Sequence, residues 1–126
     1  MHKKILIVDD ENDILEFVSY NFNKHGYEVF TASNAKEGIE KAIHHIPDVI
    51  IADIRMPEID GIEMCRRIKR NELIKNIPVI FLTADSDEYL ALTAHYAGGA
   101  QYINKPVSLK LLLSTVAEVL NNKIQH

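Results

Sequence analysis

The sequence predicts one α/β unit: a five-stranded parallel sheet with helices packed on both faces. Three observations carry this. Short apolar, β-branched runs alternate strictly with segments of helical periodicity, five of each. The runs are apolar at most positions, as strands buried on both faces are. Four of them lead into polar or charged groups, Asp9-Asp10, Asp53, Thr83 and Lys105. Those groups would gather at the carboxyl edge of the sheet, where open α/β sheets bind and react.

Ile5–Val8 is the first strand, and Ile14, Leu15, Val18 and Phe22 then recur at helical spacing until Gly26. Glu28–Ala32 alternates as a second strand. Asn34 and Glu37 have capping-box spacing for a helix carrying Ile39, Ala42 and Ile43 and ending before Pro47. Asp48–Asp53 is the third strand, and Met56–Gly61 is a loop by its proline and glycine. Asp60 with Glu63 caps a helix that turns Ile62, Cys65 and Ile68 inward. Pro78 precedes the fourth strand. Asp85–Glu88 is an acidic helix start, with Leu90, Ala94 and Ala97 on one face and Gly98-Gly99 as the stop. Ala100–Asn104 is a short fifth strand. Ser108 caps a last helix with the stripe Leu109, Leu112, Val116 and Leu120, and residues 121–126 read as a frayed end. Right-handed crossovers connect the parallel strands.

Composition narrows the function classes. At 126 residues and 47% hydrophobic content the chain suits one domain with a core, residues 1–126, and is too short for two. A net charge of -4 offers no footprint for nucleic acid or an anionic membrane. The basic stretch Arg66–Arg70 therefore reads as a solvated helix face. One cysteine, Cys65, forms no intramolecular disulfide framework, and the six histidines, His44-His45 included, lack metal-ligand spacing and read as surface residues. The apolar stretch after Met1–Lys4 ends at Asp9, too short for a signal peptide or a membrane span, so the cytoplasm is the expected compartment.

Taken singly, Asp9-Asp10 would be a helix cap, Asp53 a turn residue, Thr83 a β-former and Tyr102 core packing. Together they point elsewhere. Two like charges about 4 Å apart repel by roughly 4 kcal/mol at an effective dielectric near 20, so three carboxylates at one edge require positive charge. An all-oxygen site suits magnesium, and Lys105 arrives from the fifth strand. Such a site can hold a phosphoryl group, with Asp53 as nucleophile and the cations neutralising the transferred charge.

The segments Ile5–Glu11 (ILIVDDE), Asp53–Gly61 (DIRMPEIDG), Thr83-Ala84 and Tyr102–Pro106 (YINKP) resemble, in order and spacing, the signature positions of the response regulator receiver domain of two-component signalling. The similarity spans essentially the whole chain. It implies a flavodoxin-like doubly wound sheet of strand order 2-1-3-4-5. It also implies that Asp53 accepts a phosphoryl group from a phosphohistidine of a sensor kinase or phosphotransfer protein, with magnesium as cofactor and manganese as the alternative. Asp10 and Asp53 would ligate the ion directly, Asp9 through water, and Arg55 through its backbone carbonyl. Lys105 would pair with a phosphoryl oxygen, and Thr83 and the Ala84 backbone N–H with others. Tyr102 would then turn inward behind Thr83, changing the face of the fourth helix, fifth strand and fifth helix that partners read. The Lys105-Pro106 bond resembles the family's cis peptide.

On this resemblance the chain is a signalling phosphoprotein and no enzyme beyond its own aspartyl phosphorylation and dephosphorylation. Its output is a downstream protein or an effector domain such as a DNA-binding one, with no nucleic acid or membrane contact by this domain. A phosphorylation-dependent dimer is among the implied assemblies, although Ala100 and Gln101 stand where many members place acids used in dimer salt bridges. Tyr20–Tyr27 resembles receivers joined to winged-helix domains. Arg55 and Asp85 are expected to pair across the entrance and restrict hydrolytic water.

Rival readings fit less well. An aspartyl phosphohydrolase wants an acid two residues after Asp53, where Arg55 stands. A flavin or nucleotide carrier wants a phosphate-cradling first loop, where Asp9-Asp10-Glu11 repels. An unphosphorylated adaptor has no use for the intact Asp, Thr and Lys set.

Overall fold

The computed structural model describes residues 2–84 and 87–124. Its elements alternate as β1 (Lys4–Val8), α1 (Asn12–Lys24), β2 (Glu28–Ala32), α2 (Ala35–His45), β3 (Val49–Asp53), α3 (Gly61–Lys69), β4 (Val79–Thr83), α4 (Glu88–Tyr96), β5 (Gln101–Asn104) and α5 (Leu109–Ile124). The sheet order is β2-β1-β3-β4-β5 and every pair is parallel. Both agree with the expected doubly wound fold.

Successive side chains of a strand point to opposite faces, and the core divides accordingly. Leu6, Val8, Ile50, Ala52, Val79 and Phe81 join α2, α3 and α4 through Ala42, Ile62, Met64, Cys65, Ile68 and Ala94. Ile5, Ile7, Val49, Ile51, Ile80 and Leu82 join α1 and α5 through Val18, Phe22, Leu112 and Val116. β3 and β4 are buried throughout, so their polar ends Asp53 and Thr83 enter an otherwise apolar environment.

The chain winds from β1 outward to β2 and then returns across β1 to β3. The winding reverses between β1 and β3, and the crevice at such a reversal is where ligands bind in open α/β sheets. Asp9 follows β1 and Asp53 ends β3, so that crevice is lined by carboxylates.

Helix starts follow the sequence. Asn34 Oδ1 accepts from the Glu37 N–H, and Asp60 Oδ1 from the Glu63 N–H, each at 2.8 Å. Asp87 Oδ1 accepts from the Tyr89 N–H at 2.9 Å, and Ser108 Oγ from the Leu111 N–H at 3.2 Å. The predicted Asp85-Ser86 part of the α4 start lies outside the described residues.

Several expectations are corrected. Asp48 stands before β3: its carboxylate accepts from the Lys4 N–H at 2.8 Å, tying down the start of β1 instead of extending a strand. Ala100 precedes β5, donating its N–H to the Val79 carbonyl. Residues 121–124 continue α5 where fraying is expected; residues 125 and 126 are outside the described set. On α2, Ile43 is 36% exposed while Ala42 is buried. Gly38 packs so closely on Val8 that an added Cβ would sit 2.9 Å from Val8 Cγ2, and this contact rotates α2 so that Ala42 faces the sheet. His45 is half-buried, its ring stacked on Phe30 with centroids 3.9 Å apart, and is not the surface residue expected.

Gly61 fixes how α3 leaves the site. Its N–H donates to the Ile54 carbonyl at 2.8 Å, and a Cβ there would overlap the Asp53 backbone oxygen. That neighbour is main chain and cannot rotate away. Gly61→Ala is expected to lower stability by about 2 kcal/mol, an overpacking cost, measured as a reduced urea midpoint. An unchanged midpoint would show that the loop yields freely.

Candidate functional site

Five predicted groups meet at the carboxyl edge. Asp9 is fully buried, Asp53 and Lys105 nearly so, and Asp10 is exposed at the rim. Carboxylate oxygens of Asp9, Asp10 and Asp53 lie within 4.8 Å of one another. Lys105 reaches over from beyond β5, its Nζ 3.1 Å from Asp9 Oδ2 and 3.7 Å from Asp53 Oδ2. The Lys105–Pro106 peptide is cis, as the resemblance implies.

Asp9 and Asp10 do not cap α1. The N-cap is Glu11, without a side-chain cap bond, while Asp9 Oδ1 accepts from the Glu11 N–H at 2.9 Å. The bland reading of the acidic pair therefore fails on geometry. Sequence reasoning overlooked one member of the site. Glu11 Oε1 accepts from Lys105 Nζ at 2.8 Å, the shortest of the lysine's ion-pair distances among the described residues. The only signal for it was a third acid directly after Asp9-Asp10.

Thr83 is buried at the end of β4, one residue beyond Leu82, the register partner of Asp53. Its carbonyl accepts from the Lys105 N–H at 2.7 Å, which ties the lysine's backbone to β4. Ala84 is exposed just after it. Tyr102 lies opposite Phe81 and is half-buried against the α4 side of the core. Arg55 is exposed, two residues beyond Asp53, and its backbone N–H bonds the Asp53 carboxylate. Asp85 lies outside the described residues, so the expected Arg55–Asp85 pair has no described geometry.

The electrostatics follow from burial and crowding. Burial, then the neighbouring charge of Asp9, pushes the Asp53 carboxyl up to about 6, against the opposing pull of Lys105 and the Arg55 N–H. Burial likewise raises Asp9. Burial works against the Lys105 ammonium, but the negative charge of Glu11, Asp9 and Asp53 around it outweighs that and leaves the group above its ordinary value.

These residues fit a hard divalent cation. Asp9 Oδ2 is buried and has no hydrogen-bond donor among the described residues, because Lys105 stands off the line such a bond needs. An orphaned buried carboxylate oxygen is costly, and a cation beside it relieves the cost. The donor set is entirely oxygen, which suits magnesium or manganese.

A doubly wound sheet bearing an acidic crevice and a cross-site lysine defines a class of phosphate-handling signalling domain. The response regulator receiver domain model matches residues 5–117, and the chain belongs to that family. Receiver domains are phosphoacceptor signalling modules and not classical enzymes; response regulators partner with histidine kinases and effector domains. Members generally bind Mg2+ at an acidic pocket.

Among curated proteins the chain is similar to the alkaline phosphatase synthesis transcriptional regulatory protein PhoP of Bacillus subtilis, 37% identical over 120 residues, covering 95% of this chain and 49% of PhoP. It is also similar to the response regulator ArlR of Staphylococcus aureus, 34% identical over 122 residues, covering 97% of this chain and 54% of ArlR. The chain thus spans about half the length of the curated relatives it matches. Among solved structures it resembles the chemotaxis protein CheY4 of Vibrio cholerae, with TM-score 0.90, 31% identity and coverage of 94% and 99% of the two chains. A CheY-like receiver domain protein of Methanospirillum hungatei gives TM-score 0.93, 30% identity and coverage of 99% and 98%. Among the described residues no helix is long and apolar enough to cross a membrane.

The raised Asp53 carboxyl has a consequence for stability. The folded state holds this proton more tightly than the unfolded chain, so stability falls as pH rises from about 4 to about 6. In magnesium-free buffer Asp53→Asn is expected to unfold at higher urea near neutral pH, by on the order of 2 kcal/mol. The difference from the parent should close by about pH 4, the ordinary carboxylate range. Equal stability of the two proteins at neutral pH would exclude the strain.

Proposed function

We propose that residues 1–126 form a single receiver domain in which Asp53 takes a phosphoryl group from a phosphohistidine of a sensor kinase or phosphotransfer protein. The observation that carries this is the buried Asp53 carboxylate held between Asp9, Asp10 and the Lys105 ammonium. An Asp53 oxygen attacks phosphorus, the P–N bond to the donor imidazole breaks, and the leaving nitrogen keeps that electron pair. Asp53 becomes an acyl phosphate.

Asp10 and Asp53, the Arg55 backbone carbonyl and Asp9 through water would hold the ion. Magnesium supplies the positive charge that offsets these carboxylates and the transferred group. Lys105 pairs with one phosphoryl oxygen. The Thr83 hydroxyl and the Ala84 N–H take others, at the end of the strand next to β3. Withdrawal of Thr83 toward the phosphoryl group lets Tyr102 turn inward, the two-state element that phosphorylation biases. Beside Tyr102 lies a recess of about 240 Å³ lined also by Phe81, Ala94, His95 and Gly99, so the ring is not packed tightly on that side. Exposed Tyr89, Leu92 and Tyr96 on α4 and Leu111 on α5 offer apolar surface to a reader of the state.

The reader is a downstream protein or an effector domain, as the names of PhoP and ArlR suggest for those proteins, with a phosphorylation-dependent dimer as one arrangement. The domain works in the cytoplasm, without direct contact to nucleic acid or membrane.

Incubation with acetyl phosphate and magnesium is expected to add one phosphoryl mass, alkali-labile and located at Asp53, and absent from Asp53→Asn. Labelling that persists in Asp53→Asn would remove Asp53 from the reaction. Thr83→Ala is expected to retain labelling while the phosphorylation-dependent NMR shift of the Tyr102 ring disappears. A full shift in that variant would disconnect Thr83 from Tyr102.

A further inference from the structure

We propose that Glu11 is a positioning residue that holds the Lys105 ammonium in the unphosphorylated protein, so that a phosphoryl group on Asp53 acquires the lysine only by displacing Glu11. This rests on the reading of Asp53 as phosphoacceptor.

The first observation is the residue type at a helix start. Ser, Thr, Asp and Asn serve as N-caps because a short side chain can turn back to the N–H groups of the first turn. Asn34, Asp60 and Asp87 do so for α2, α3 and α4. Glu11 holds the same place before α1 and makes no such bond. Its backbone carbonyl accepts from the Ile14 and Leu15 N–H groups, while its side chain extends to a residue 94 positions away.

The second observation is the order of distances around Lys105 Nζ: 2.8 Å to Glu11, 3.1 Å to Asp9 and 3.7 Å to Asp53. Of these three contacts only that with Glu11 has hydrogen-bond geometry, and buried Asp9 Oδ2 has no donor among the described residues. The ammonium is therefore drawn to the solvent side of the site. Glu11 is 59% exposed, so its carboxylate returns to water cheaply on release. Lysine is a compact charge on a flexible stem and swings where an arginine fork would not. A phosphoryl group brings close to two negative charges and three acceptor oxygens to Asp53, enough to outcompete one solvated carboxylate.

Lys105 thus changes partner on phosphorylation, and Glu11 lowers the gain from the new pair. The test uses beryllofluoride, a noncovalent phosphoryl mimic, titrated at saturating magnesium into the parent, Glu11→Gln and Glu11→Asp. Magnesium affinity is measured separately for each, and the Lys105 side-chain NMR signals are recorded before either is added. Glu11→Gln should bind beryllofluoride about threefold more tightly, the scale of a partly exposed ion pair. Glu11→Asp keeps the charge but loses the reach, and should behave like Glu11→Gln. Both variants should shift the Lys105 signals of the metal-free protein. A parent that binds beryllofluoride with the same or higher affinity than Glu11→Gln overturns the proposal and leaves the Asp53 reading intact. Parent-like affinity in Glu11→Asp overturns it too, because charge alone would then suffice. A parent that neither binds beryllofluoride nor forms an acyl phosphate defeats both.

Discussion

The mutual repulsion of buried carboxylates at the β1–β3 crevice is the constraint around which the rest of this domain is arranged. Asp9 and Asp53 are driven out of water by the apolar strands that carry them, which raises both carboxyls, and the charge of Asp9 makes ionisation of Asp53 harder still. Replacing those carboxylates with apolar groups would relieve the fold at once. The chain instead keeps them and brings one lysine across the sheet edge, a compensation that is incomplete because one oxygen of Asp9 still lacks a donor among the described residues. A site in this condition favours any added positive charge, and tolerates a new anion only if cations come with it.

The fold supplies rigidity to that imbalance. Strands buried on both faces cannot drift apart without exposing two separate cores, so the carboxylates stay close despite repelling each other. The Gly61 contact with the Asp53 main chain closes the loop over the site from the α3 side. The bond from the Lys105 N–H to the Thr83 carbonyl ties the lysine's backbone to β4 from the other. The lysine side chain itself reaches back over the site to Glu11, Asp9 and Asp53.

The side of the molecule toward α4 is built differently. Tyr102 borders an open recess lined also by Phe81, Ala94, His95 and Gly99, and α4 carries tyrosines and a leucine in solvent. The curated relatives are about twice as long as this chain.

Strand and helix order, the caps at Asn34 and Asp60, and the gathering of Asp9, Asp10, Asp53, Thr83 and Lys105 on one edge were legible in the residues, because apolar period and strand ends are local properties of a chain. Receiver membership was legible too, since its signature positions lie in order along the sequence. Rotation of α2 that leaves Ile43 outside, the stacking of His45 on Phe30, and the tie from Asp48 to Lys4 were decided only by packing between elements. The same holds for the partner of Lys105. Four carboxylates were candidates, and distance in the folded molecule, not spacing in the chain, chose Glu11. A flexible side chain bonds what tertiary structure brings within its reach, and no local pattern contains that information.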